Sequence, residues 1–70
     1  MIPLTYADPG EENVIMKVNG RPEVKKHLED MGFVAGSIIR IVSSVNGNLI
    51  VSVKDTKVAL DKELAMRIMI

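Results

Sequence analysis

The sequence predicts a single, mainly β domain spanning residues 1–70, in which five short strands curl into a small barrel around one inserted α-helix. Three observations predict this fold. The chain has 70 residues, which is the size of one small domain. Several segments alternate apolar and polar residues at period two and are separated by turn signals. Hydrophobic residues make up 47% of the chain but aromatics only 3%, so we expect an aliphatic core. Short strands bury such an apolar face by curling, which also hides their edges.

The strands are predicted from this alternation between turns. The five candidates are Asn13–Asn19, Ser37–Val45, Asn48–Lys54, Lys57–Leu60 and Met66–Ile70. Asn46-Gly47 favours the type I′ turn of a tight hairpin between the second and third strands. We expect Asp55-Thr56 to turn the chain into the fourth strand. Near residues 61–65 the sequence predicts one short helical turn, with Asp61 as its N-cap.

The inserted α-helix is predicted at about residues 22–31. Proline suits its first position, where a missing N–H costs nothing. Its core-facing stripe consists of Val24, Leu28 and Met31. Gly32 is the expected left-handed residue after the helix, and Phe33 then packs back on Leu28. This pattern is typical of a Schellman ending. Met16 and Met66 are expected in the core.

Composition disfavours several functional classes. Nine basic residues balance nine acidic ones, so nucleic-acid binding is not expected. The chain has no cysteine, which excludes disulfides, iron–sulfur clusters and cysteine-rich zinc sites. Its two aromatics, Tyr6 and Phe33, are too few for a base-stacking platform or a proline-rich-peptide groove. There is no targeting signal and no apolar run near the roughly 20 residues of a membrane span. We therefore expect a cytoplasmic location without membrane insertion.

Candidate chemistry is sparse. There is no serine–histidine pattern, no phosphate-binding loop and no G-x-G-x-x-G motif, so an enzyme is not expected. Glu23, His27 and Asp30 lie on one side of the predicted helix, at i, i+4 and i+7. We expect them to be solvated residues flanking the apolar stripe, with Glu23 and Asp30 also reaching Lys26, so no metal site is predicted. The alternative is that they hold Fe²⁺ or another divalent metal weakly. No cofactor is otherwise predicted.

Three motifs follow one another along the chain. An opening L-x-x-x-x-P-G covers Leu4–Gly10, L-x-x-M-G-F-x-x-G-S-x-I-x-I runs from Leu28 through Ile41, and a closing V-A-L-x-x-x-x-A-x-x-I-x-I covers Val58–Ile70. Together they span nearly the whole chain, and in this order they resemble the FeoA family of ferrous iron transport proteins. Two departures are Ala35, where the family usually has proline, and Met31, where it usually has leucine.

The resemblance implies an SH3-like barrel with an inserted helix, in agreement with the element order above. It also implies a small, non-enzymatic cytoplasmic protein of bacterial ferrous iron uptake that acts with the cytoplasmic part of the membrane transporter FeoB. The same domain type occurs at the C-terminus of DtxR-like repressors as a regulatory module, which is an alternative function.

The partner-binding surface is predicted around the helix end. The candidate residues are Met31, Gly32, Phe33, Val34 and Gly36. A rigid cap would present apolar side chains there between two glycines. The alternative is that these positions only end a helix and start a strand. Self-association through strand edges is compatible with the transporter-accessory function, and the last strand could also pair with a partner's edge. The oligomeric state does not follow from the sequence.

Overall fold

The computed structural model describes residues 1–70 and contains six strands, two α-helices and one 3₁₀ helix. In chain order these are the 3₁₀ helix (Leu4–Tyr6), β1 (Glu12–Val14), β2 (Lys17–Val18), α1 (Pro22–Asp30), β3 (Ile38–Val45), β4 (Asn48–Val53), β5 (Thr56–Leu60), α2 (Lys62–Ala65) and β6 (Ile68–Met69). Neither α-helix has the length and apolar character needed to cross a membrane. The predicted mainly β architecture with one inserted helix is confirmed.

Two antiparallel sheets surround the core. The larger sheet has the strand order β1-β3-β4-β5, and the smaller one pairs β2 with β6. Ile2 exchanges backbone hydrogen bonds of 2.9 and 2.8 Å with Ile70, so the end of the chain has a neighbour on the other side as well. The last strand therefore does not offer the free edge considered above.

The predicted first strand, Asn13–Asn19, is in fact two strands that belong to different sheets. The N–H of Ile15 donates to the carbonyl of Ser37 at 2.9 Å, in the larger sheet. The next N–H, that of Met16, donates to the carbonyl of Met69 at 2.8 Å, in the smaller sheet. The chain thus changes sheets between two consecutive residues, which raises the strand count from five to six.

The end of α1 is a Schellman motif, as predicted. Gly32 has a φ of +103°. Its N–H donates to the carbonyl of Glu29 at 3.0 Å, and the N–H of Phe33 donates to that of Leu28 at 3.0 Å. The helix itself ends at Asp30, with Met31 as its C-cap. The capped end sets the direction in which the chain leaves the helix.

Two tight hairpins build the centre of the larger sheet. Asn46 and Gly47, with φ of 53° and 84°, form the predicted type I′ turn. The second turn differs from the prediction: it is centred on Lys54-Asp55, with φ of 49° and 62°, and not on Asp55-Thr56. Val53 pairs with Thr56 in this register, which keeps the alternate valines of β4 facing inward.

The core is entirely apolar and mostly aliphatic. Its 14 buried residues are Leu4, Ala7, Ile15, Val18, Leu28, Phe33, Ile39, Ile41, Leu49, Val51, Val53, Leu60, Ala65 and Ile68. Met16 and Met66, which were expected there, are instead exposed, because their neighbours Ile15 and Ala65 face inward. Asp61 caps α2 as predicted, accepting from the Leu64 N–H at 2.8 Å.

Candidate partner-binding site

The helix-end surface (Met31, Gly32, Phe33, Val34 and Gly36) is held by backbone hydrogen bonds on both sides. The Val34 N–H donates to the carbonyl of Gly32 at 3.0 Å, and the Ser37 N–H donates to that of Val34 at 3.1 Å. The Gly36 N–H donates to the carbonyl of Ile15 at 2.8 Å, which ties the segment to the chain before β2. The segment is therefore a fixed corner between α1 and β3.

The five residues differ in exposure. Gly36 is exposed, and Met31, Gly32 and Val34 are half-buried. Phe33 is 0% exposed and belongs to the core. Its ring therefore does not lie on the surface that a partner would meet. The apolar surface offered at this corner consists of the outer parts of Met31 and Val34 around the backbone of Gly32.

The turn between β4 and β5 borders this surface. A Cβ built on Gly32 would lie 3.5 Å from Cδ of Lys54 and 3.8 Å from the side chain of Val53. The adjoining Ile38 is 60% exposed. It lines a depression of about 370 Å³ together with Glu12, Arg40, Ser52, Lys54 and Asp55. Sequence reasoning missed Ile38 and Lys54. The two positive-φ residues of the turn bring Lys54 here, whereas the sequence indicated a turn centred one residue later, on Asp55-Thr56.

Glu23, His27 and Asp30 all lie exposed on α1. The Lys26 ammonium is 3.4 Å from Oδ2 of Asp30, which is one of the contacts expected for solvated helix residues. The structure brings no three histidine, aspartate or glutamate side chains together as a group that could hold a metal ion.

A second exposed apolar area lies on the outer face of the larger sheet and was not predicted. The strand register places a polar row across this face, made of Glu12, Arg40, Ser52 and Lys57. Val14 and Ile38 lie on one side of this row. On the other side a depression of about 390 Å³ is lined by Ser43, Val45, Asn48, Leu49, Ile50, Ala59, Leu60 and Asp61. The polar row separates this depression from the helix-end surface.

Known proteins match the chain along nearly its whole length. A family model described as the FeoA domain matches residues 2–70. A Methanocaldococcus jannaschii protein, to which the name Fe(2+) transport protein A has been assigned, is 34% identical over 70 residues, covering 100% of this chain and 85% of its own. The crystal structure of an iron uptake regulatory protein, FeoA, superimposes with a TM-score of 0.90 at 29% identity and covers 97% of this chain and 92% of that one.

Two further structures share the fold at lower identity. Stenotrophomonas maltophilia FeoA, solved with zinc and described as an SH3 domain protein, has a TM-score of 0.85 at 24% identity, covering 99% of this chain and 88% of that one. The predicted SH3-like fold is thereby confirmed. A manganese-dependent transcriptional repressor has a TM-score of 0.85 at 17% identity, and the match covers 94% of this chain but 38% of the repressor. With residues 2–70 matched by the FeoA domain, the chain belongs to the FeoA family.

Proposed function

We propose that this protein is a non-enzymatic, cytoplasmic accessory protein of ferrous iron uptake that acts by binding the cytoplasmic part of an FeoB-type membrane transporter. The FeoA family consists of accessory proteins of ferrous iron transport and is not a known family of enzymes. The observation that carries the proposal is the family match across residues 2–70.

The helix-end surface has a fixed backbone, which favours binding to a partner. Its backbone is fixed by the Schellman motif and by the hydrogen bond from Gly36 to Ile15. A surface that is already ordered loses little conformational entropy on binding, so a small apolar contact yields more affinity. Met31, which packs against the core, and the half-buried Val34 supply that contact.

The test is an anaerobic NMR titration of the labelled protein with the soluble cytoplasmic domain of its cognate transporter. We expect localised amide shifts at residues 31–36. Val34→Ser should weaken binding several-fold, whereas Val45→Ser, at a 65% exposed valine on the far end of β3, should leave it unchanged. Shifts confined to another surface would overturn the site. The absence of shifts at high micromolar partner would overturn direct contact with this domain.

A regulatory module is the alternative supported by the fold, since the manganese-dependent repressor contains the same fold as one part of a longer chain. The two functions differ in the partner. A regulatory module would bind a DNA-binding protein in a metal-dependent manner, whereas the transporter accessory would bind the transporter domain. Parallel titrations with both partners distinguish them.

Weak metal binding by Glu23, His27 and Asp30 is a separate hypothesis that rests only on their spacing along the exposed side of α1, since the structure does not bring the three side chains together as a metal-binding group. Ferrous iron would then be cargo or signal. An anaerobic Fe²⁺ titration of the parent and His27→Ala proteins tests this. Equal affinities would remove the hypothesis.

A further inference from the structure

The outer edge of β5 is an unpaired strand edge with a defined pattern of backbone groups. The two-residue turn at Lys54-Asp55 makes Val53 and Thr56 a hydrogen-bonded pair, and hydrogen-bonded pairs then alternate along the ladder. The N–H and C=O groups of Lys57 and Ala59 therefore point away from β4. No hydrogen bond from a turn, loop or side chain reaches them.

Asp61 extends this edge by one more position. Its backbone is extended, with φ −72° and ψ 166°. By alternation its N–H also points outward, while its carbonyl accepts from the Ala65 N–H at 2.9 Å. Oδ1 of its side chain accepts from Leu64, which leaves Oδ2 without a partner. The edge thus presents Lys57, Ala59 and Asp61 in a row, all exposed and all on the outer face.

The outer face beside this edge is apolar. Ala59 is the cross-strand partner of Ile50, which is 42% exposed. Val45, which is 65% exposed, lies at the rim of the same depression. A strand added to β5 would therefore lie next to an apolar row as well as next to free backbone groups, which is the arrangement used in recognition by strand addition.

We propose that β5 pairs antiparallel with β5 of a second copy of this chain, with the two-fold axis passing through Ala59. Each Ala59 then exchanges both backbone hydrogen bonds with its symmetry mate. Each Lys57 lies directly opposite the second copy's Asp61, so two pairs of opposite charges flank the axis. On the outer face Ile50 and Ala59 of each copy form one apolar row across the interface. The contact is isologous and closes after two copies.

Charge favours this register over the two registers shifted toward the β4–β5 turn. A two-fold axis through Val58 would place Asp61 of one copy opposite Asp55 of the other. An axis through Lys57 would place the two lysines opposite each other. Both registers are disfavoured, because like charges directly opposite each other are destabilising. A charged residue such as Lys57 ordinarily protects a strand edge from pairing. In the proposed register Lys57 instead lies opposite the carboxylate of Asp61 in the second copy. The chain has a formal net charge of +0, so two copies do not repel each other at long range.

Single-cysteine variants test the register directly, because the chain contains no cysteine. Ala59→Cys would place two sulfurs across the axis, with Cα atoms about 5.5 Å apart, which is within the range of a disulfide. Ser52→Cys is the control on the same outer face: it lies on β4, one strand away from the edge, leaves the Lys57–Asp61 pairs intact, and its two copies would lie more than about 10 Å apart. We expect Ala59→Cys to cross-link under mild oxidation at least tenfold faster than Ser52→Cys. Equal rates would overturn the proposed register.

The unmodified chain provides the second test, by light scattering after gel filtration and by sedimentation at increasing concentration. We expect a reversible monomer–dimer equilibrium. Lys57→Glu should raise its dissociation constant about tenfold by creating two like-charge pairs. Lys17→Glu, the same exposed charge change on the other sheet, should leave it unchanged. A monomer at all concentrations would overturn the proposal. Transporter binding is read separately by NMR, so failure of either proposal leaves the other standing.

Discussion

The backbone N–H of Phe33 donates a 3.0 Å hydrogen bond to the carbonyl of Leu28, and both side chains are 0% exposed. One backbone contact therefore joins the end of α1 to the core. Gly32 directly precedes Phe33, and the chain turns there with a φ of +103°, a value that L-residues rarely adopt. The direction of the segment from Val34 to Gly36, and with it the helix-end surface, depends on this arrangement.

Gly32→Ala is expected to lower the free energy of unfolding by about 1–2 kcal/mol. The cause is backbone strain, because the nearest atom to an added Cβ is Lys54 Cδ at an ordinary 3.5 Å. Gly32→Asn should cost less, since asparagine tolerates positive φ better than alanine does. Urea unfolding of the three proteins measures both values. Equal losses in the two variants would show that the cost is steric and not conformational.

Phe33→Ala is expected to cost about 3–5 kcal/mol of unfolding free energy, because it removes a ring from the middle of a small core. The other aromatic is the natural control: Tyr6 is 72% exposed, and Tyr6→Ala should cost under about 1 kcal/mol. Thermal or urea unfolding followed by far-UV circular dichroism compares them. Similar small losses for both would contradict the placement of Phe33 beneath the surface.

The elements that the sequence predicted well are those decided by neighbouring residues. The Schellman ending needs glycine after the helix and an apolar residue next, and Gly32-Phe33 supplies both. The first hairpin turn needs two positive-φ residues, and Asn46-Gly47 is the strongest short signal for it. Asp61 similarly stands where an N-cap is needed. In each case the physical cause lies within a few residues of the chain.

The features that were missed depend on contacts between distant segments. Ile15 and Met16 are both apolar, so alternation could not show that the chain changes sheets between them; the hydrogen bonds to Ser37 and Met69 decide it. The turn at Lys54-Asp55 is set by the register of β4 with β5, and neither residue is a usual positive-φ residue in the way that glycine is. The residues predicted for the helix-end surface do form one corner of the chain, but Phe33 lies in the core and the neighbours Ile38 and Lys54 come from tertiary packing.

Gly47→Ala is expected to destabilise the protein through two separable effects. Gly47 has a φ of 84°, which strains alanine, and an added Cβ would lie 2.9 Å from Cγ and Cδ of Lys62. The second effect arises because these atoms are close to the base of the Lys62 side chain, which must change its rotamer to clear the added Cβ. Lys62→Ala should remove it and leave the backbone strain. A double-mutant cycle is therefore expected to show a coupling of about 0.5 kcal/mol or more. Strict additivity would mean that Lys62 moves aside at no cost.

Asn13→Val is expected to stabilise the protein by about 1 kcal/mol. Asn13 pairs across the sheet with the buried Ile39 and so faces inward, and its buried Nδ2 has no hydrogen-bond partner. Replacing an unsatisfied amide with a β-branched apolar residue removes the desolvation penalty and suits a strand. Asn13→Ala separates the two contributions, because it removes the amide without adding strand preference. A lower unfolding free energy in the valine variant would indicate that the amide binds an ordered water.

Asp61 combines two roles that substitutions can separate. Its Oδ1 accepts a hydrogen bond from the Leu64 N–H and so caps α2. A second N–H of this first turn, that of Lys62, donates to Oδ1 of Asn48 at 2.8 Å. Asp61→Ala should therefore lower the unfolding free energy by about 1 kcal/mol, whereas Asp61→Asn keeps a capping oxygen and should change it little. Both variants remove the negative charge that lies opposite Lys57 of a second copy, so both should weaken self-association.

The unfolding measurements should be made at low protein concentration, because dimer formation would add its own stabilisation. If Asp61→Asn destabilised the fold as much as Asp61→Ala, the charge and not the hydrogen bond would hold the helix. If it left self-association intact, the Lys57–Asp61 pairing would be wrong even with the cap confirmed.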